Sequence, residues 1–151
     1  LRVLVRACGA DGMVGGQGLD TVYDIGDAEG LTQLNRLKTG VMISGAVELG
    51  CVAAKMNLGM RSQALKYADG IGRAFQIRDD ILDVVGDAAV FGKTIGSDKE
   101  KGKVTFVDVL GLDGCAREVE RCTESAKAAV ANWSDHMFLW ELADRMVGRN
   151  K

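Results

Sequence analysis

Apolar residues recur at helical spacing along nearly the whole chain. Leu31, Leu34, Val41 and Gly45 keep a 3.6-residue step that carries a helical pattern to about Lys55, with a break expected at Gly40. Leu65, Ala68, Gly72, Phe75, Asp79 and Leu82 continue a second face for about five turns. A short helix is expected over residues 12–22 after a turn at Gly9–Gly12, and two amphipathic helices near 113–132 and 136–148. The opening Leu1-Arg2-Val3 already reads as the middle of a helix, as though further chain preceded it. No useful stretch alternates apolar and polar residues as a half-buried strand would. The fold class expected is therefore all-α.

Proline is absent, which removes the commonest helix breaker, while glycine is frequent at 20 residues. Each helical glycine costs about 1 kcal/mol against alanine. Gly45, Gly50, Gly70 and Gly72 therefore suggest close helix packing or room for a ligand. The one long non-helical candidate is GDAAVFGKTIGSDKEKGK, residues 86–103, with four glycines and four lysines. A loop of that length in a compact domain usually carries function or is disordered.

Immediately before it, FQIRDDILDVVGD (75–87) places Asp79, Asp80 and Asp83 inside an apolar helical stretch. At about 100° per residue, Gln76, Asp79 and Asp83 share one face, while Asp80 points roughly 100° away. Two carboxylates four residues apart would repel in a dry interior, and would protonate or find a cation. Mg²⁺ suits them, because it keeps several waters and takes one or two carboxylates plus substrate phosphates. The competing reading is a solvated helix face. Ile77, Ile81, Leu82, Val84 and Val85 leave little polar face for it.

Lys38 lies on the Leu31/Leu34 stripe. It either snorkels to the surface or reaches an interior anion. Lys93 and Lys103 stand in the segment after the aspartates. Carboxylates, magnesium and lysines together make a diphosphate clamp. FGKT (91–94) is not a P-loop, since Asp87 stands where that motif needs glycine and a helix precedes it. Nor is DDILDVVGD an EF-hand loop, lacking its alternating oxygens and closing glutamate.

Composition narrows the class. The 151 residues suit one domain, 1–151, with 47% hydrophobic and 26% charged residues and a formal charge of −2. No basic stripe favours nucleic acid. Cys8, Cys51, Cys115 and Cys122 form no CxxC pair and, with the single His136, no zinc spacing. They read as buried thiols in a reducing cytoplasm. Cys115 and Cys122 are expected to share a helix stripe, and His136 and Trp140 to pack together. No apolar run reaches the ~18 residues of a membrane span, and there is no signal-peptide pattern.

The ordered motifs GGQGLD (15–20), KTG (38–40), FQIRDDILDVVGD (75–87), GKTIGSDKEKGK (92–103) and LGL (110–112), with the tail ADRMVGRNK, resemble the C-terminal half of the trans-polyprenyl diphosphate synthases, of the bacterial farnesyl diphosphate branch. The resemblance spans nearly the whole chain. It implies a helical bundle around a central cavity, usually a homodimer. The reaction it implies couples an allylic diphosphate head-to-tail with isopentenyl diphosphate, through magnesium-assisted departure of diphosphate, attack by a double bond on the allylic carbocation, and loss of a proton. Carried over position by position, Asp79 and Asp83 become magnesium ligands of a second aspartate-rich motif, with Asp80 beside them. Lys38 binds the allylic diphosphate, and Lys93 and Lys103 complete the clamp. Thr39 and Gln76 turn oxygens toward the carbocation. Gln17 and Asp20 line the cavity, and Asp98 supports a water or lysine near the metal. Arg78 stands where the family often has glutamine.

One departure matters more. The family's first motif, DDxxD or DDxxxxD followed by two arginines, is not in this sequence. The expectation is that motif and the isopentenyl diphosphate pocket lie upstream of Leu1, and that this chain alone turns over little or nothing. The segment after DDILD is similar to that of farnesyl- or geranylgeranyl-producing enzymes. Two alternatives remain: a non-catalytic subunit of a heteromeric synthase, which should have lost Asp79, Asp83, Lys38 and Lys93, and a helical Mg-dependent nucleotide pyrophosphatase, which leaves KTG and GGQ unexplained.

Overall fold

The computed structural model describes residues 1–22, 27–91 and 104–149. These form seven α-helices, with no strand among the described residues: α1 (Arg2–Cys8), α2 (Met13–Val22), α3 (Ala28–Asn35), α4 (Val41–Ala53), α5 (Leu58–Phe91), α6 (Phe106–Val130) and α7 (His136–Gly148). The expected all-α class holds. A single π turn, Arg36–Gly40, joins α3 to α4 without a break, so Gly40 widens the helix instead of ending it. An inserted π turn adds a residue to the helical circuit, and such turns often sit at functional sites.

Local chemistry sets the boundaries. Asp27 caps α3, its carboxylate accepting from Gly30 N–H at 2.7 Å. Asn57 accepts from Met60 N–H at 2.9 Å at the head of α5. Thr105 and Asp108 make a reciprocal capping box at the head of α6. That start precedes the expected 113, because Gly111, at φ 68, kinks the chain inside the element. Helix α5 also runs past the expected loop start at residue 86, through Phe91.

The long α5 and α6 form the spine, and two apolar clusters lie along them. One joins Leu31, Ala74, Ile77, Phe106, Cys115, Val119 and Cys122. The other joins Tyr67, Ile71, Ala126, Val130 and Ala143 and brings α7 onto the spine. Polar tips are satisfied as they enter: Tyr67 Oη donates to the Leu139 carbonyl at 2.7 Å, and Trp140 Nε1 to that of Lys127 at 3.0 Å. His136 and Trp140 meet edge to face, centroids 4.9 Å apart, as packing. Cys115 and Cys122 share the buried stripe of α6. At the other end Glu48, buried on α4, accepts from Arg6 of α1 at 2.8 Å and also from Arg61 of α5. No helix among the described residues is long and apolar enough to cross a membrane.

Candidate diphosphate and metal site

The KTG turn is positioned by two close approaches. Helix α2 lies directly on it at Gly16, where a Cβ would fall 2.6 Å from Lys38 N and 2.8 Å from Leu37 C. On its other side Gly40 meets α5 at Gly72, where a Cβ would lie 3.6 Å from the Gly40 Cα. Gly72 shares a helix face with Gln76, Asp79 and Asp83, at steps of three and four. The π turn is thereby packed against the helix that carries the acidic residues.

Lys38 is partly exposed and pairs with a carboxylate of the chain itself. Its Nζ donates to Asp20 Oδ2 at 2.9 Å, and the Asp20 side chain is only 8% exposed. GGQGLD therefore meets KTG through Gly16 and through Asp20. Gln17, one turn back on α2, is exposed, and its carbonyl accepts from Thr21. Thr39 is half-buried on the π turn. Gln76 lines a cavity of about 250 Å³ with Asn35, Arg36, Gly40, Gly72 and Phe106. A larger cleft, about 880 Å³, holds Arg6, Glu48 and Arg61 but none of the expected site residues.

The three aspartates diverge as their spacing requires. Asp79 pairs with Arg149, the residue after α7. Asp80 turns to the α6 side, where Oδ2 accepts from Phe106 N–H at 2.7 Å. A carboxylate there is favoured by the unpaired amides at the helix start. Asp83 is exposed. Among the described residues no three acidic, cysteine or histidine side chains converge as a metal cluster. Asp79 and Asp83 remain on a common face. Lys93, Asp98 and Lys103 lie outside the described residues.

Electrostatics single out Asp79. Burial pushes its carboxyl above the ordinary 3.8, and Arg149 offsets only part of that rise. The Arg149 guanidinium already pairs a cation with Asp79, and carboxylate oxygens are the hard donors that a magnesium ion completed by water and phosphate prefers. Arg149 itself was not singled out from the sequence. Its only signal there is a basic residue following the last helical pattern.

The chain matches the polyprenyl synthetase family model over residues 3–136. It is 40% identical over 161 aligned positions to a farnesyl diphosphate synthase of Escherichia coli, an alignment covering 98% of this chain and 52% of the relative. It superposes with a TM-score of 0.82 and 31% identity on an FPP/GFPP synthase from Zymomonas mobilis, covering 97% of this chain and 49% of that one. A geranyltransferase from Helicobacter pylori, solved with magnesium and isoprenyl diphosphate, superposes with a TM-score of 0.75 at 27% identity, over 97% of this chain and 49% of that one. The chain thus spans about half the length of the relatives it matches.

Proposed function

The chain belongs to the polyprenyl synthetase family, and from this we propose that it forms the diphosphate-binding wall of a magnesium-dependent, short-chain prenyl diphosphate synthase. The reaction would condense an allylic diphosphate with isopentenyl diphosphate to a farnesyl or geranylgeranyl product. The observation that most supports this is the junction of the KTG turn with the Gly72–Asp83 face of α5. It packs the turn that carries Lys38 against the helix that carries Asp79 and Asp83, an arrangement that a metal-bound diphosphate would use.

Asp79 and Asp83 would hold Mg²⁺, which when bound would neutralise the departing diphosphate. Lys38 would place its ammonium against the allylic diphosphate, already oriented by Asp20. Lys93 and Lys103 would complete the clamp, with Asp98 supporting a water or lysine. Thr39 and Gln76 would turn oxygens toward the cationic carbon, and Gln17 would line the approach. Asp80 would act beside the metal by holding the head of α6. Because the first aspartate-rich motif is not in this sequence, turnover by these 151 residues alone should be near background.

Equilibrium binding of geranyl diphosphate to the purified chain tests the reading. Binding should need Mg²⁺, yield to competing inorganic diphosphate, and fall in Lys38→Gln. Magnesium-dependent binding and cleavage of nucleoside triphosphates, with no affinity for geranyl diphosphate, would instead identify a pyrophosphatase. Binding indifferent to magnesium would remove the metal from the account.

A further inference from the structure

Arg149 rests in a three-part seat on α5. Its guanidinium pairs with Asp79 and lies over the Phe75 ring, 3.8 Å from the centroid, while its carbonyl accepts from Arg78 at 3.0 Å. Phe75, Arg78 and Asp79 stand at i, i+3 and i+4, one helix face, so a single residue spans all three. The seat is also imperfect. The Nε atoms of Arg78 and Arg149 are buried without a hydrogen-bond partner, a loss that a tightly built contact would avoid.

We propose that Arg149 is an exchangeable counter-ion: a divalent cation arriving at Asp79 displaces the guanidinium and frees the segment following α7. This rests on the reading of Asp79 as a metal ligand. The guanidinium and the metal both require the Asp79 carboxylate, and their binding is mutually exclusive there. Linkage makes the effect reciprocal, so the metal weakens the Arg149 seat by the factor by which Arg149 weakens the metal. With Asp79 40% and Arg149 25% exposed, the pair is a partly solvated one. Removing the competing arginine should then tighten metal binding about two- to fivefold. The tail thereby reports the metal state of a site on another helix, 70 residues away in sequence.

Trypsin reads the tail directly, since it must seat the Arg149 side chain to cleave the Arg149–Asn150 bond. Calorimetry with Mg²⁺ and inorganic diphosphate reads the metal. Cleavage at that bond should accelerate over the same Mg²⁺ range in which heat is released. Arg149→Gln should bind Mg²⁺ about two- to fivefold more tightly. Phe75→Leu, which removes the stacking ring and keeps both Arg149 and Asp79, should shift affinity in the same direction and tests the seat independently of Arg149→Gln. Asp79-dependent metal binding with unchanged cleavage and unchanged affinity in both variants would overturn this inference alone. No Mg²⁺ binding in any chain would overturn it together with the metal reading.

Discussion

Replacing Gly16 and Gly18 separately by alanine should give opposite signs of stability change, although both lie within the same ten-residue helix. At Gly16 a Cβ would sit 2.6 Å from Lys38 N, 2.8 Å from Leu37 C and 2.8 Å from Leu37 Cβ, well inside the ~3.5 Å of ordinary contact. Two of those atoms are backbone and cannot rotate aside. Overpacking of this kind costs about 1–3 kcal/mol, against a helix-propensity gain of about 1 kcal/mol. The net loss for Gly16→Ala is therefore up to about 2 kcal/mol, and the two backbone atoms among the close contacts put it toward the upper end. At Gly18 nothing lies within 4 Å of the added Cβ, so Gly18→Ala keeps the gain, up to about 1 kcal/mol. Urea denaturation followed by far-UV circular dichroism measures both, and an unchanged slope would confirm that only stability moved. A Gly16→Ala chain as stable as Gly18→Ala would refute the claim that α2 is seated directly on the KTG turn.

Other expectations follow from single contacts. Asp80→Ala should cost the unliganded chain about 1–2 kcal/mol by leaving the head of α6 without its acceptor, more than Asp83→Ala, whose exposed carboxylate should be worth no more than about 1 kcal/mol; denaturant midpoints without metal separate the two roles. Hydrogen bonds from Arg121 hold Glu118 below its ordinary 4.5, with Arg73 of α5 adding to them. Its contribution is thus fully present above about pH 4.5 and lost as pH falls through the depressed folded value, so Glu118→Gln should flatten the acid limb of a stability-pH curve by up to about 1 kcal/mol. Burial pushes the Cys115 and Cys122 thiols up to about 11, so at pH 8 iodoacetamide should label half-buried Cys8 well before either, as peptide mass mapping would show.

The helices were legible because most of their stability information is local: spacing and the lack of proline mark α2 and α7 to within a few residues and the body of α5. Departures arise where one residue changes the phase. A π turn at Arg36–Gly40 inserts an extra residue that a 3.6-residue pattern registers only as a break at Gly40. Gly111 adopts φ 68 and lets α6 start early, and α5 runs beyond Gly86 because a glycine with open surroundings does not end a helix. At the site, spacing correctly separated the Asp80 direction from that of Asp79 and Asp83. It could not supply Phe106, 26 residues on, or Arg149, 70 residues on, because neither pairing leaves a periodic trace. Gly16 was visible within GGQGLD, but its closeness to Lys38 is a property of packing alone.

The central claim is that α5 and the KTG turn bind magnesium and diphosphate together. Thermal melting with Mg²⁺, with inorganic diphosphate and with both, for the unmodified chain and for Asp83→Ala, tests it most directly. At a hundred times its dissociation constant the ligand pair should stabilise by about 2.7 kcal/mol, or roughly 5–10 °C for a chain of this size. The account predicts a shift that needs both ligands and disappears in Asp83→Ala. A shift of equal size in that variant, or with diphosphate alone, would contradict it.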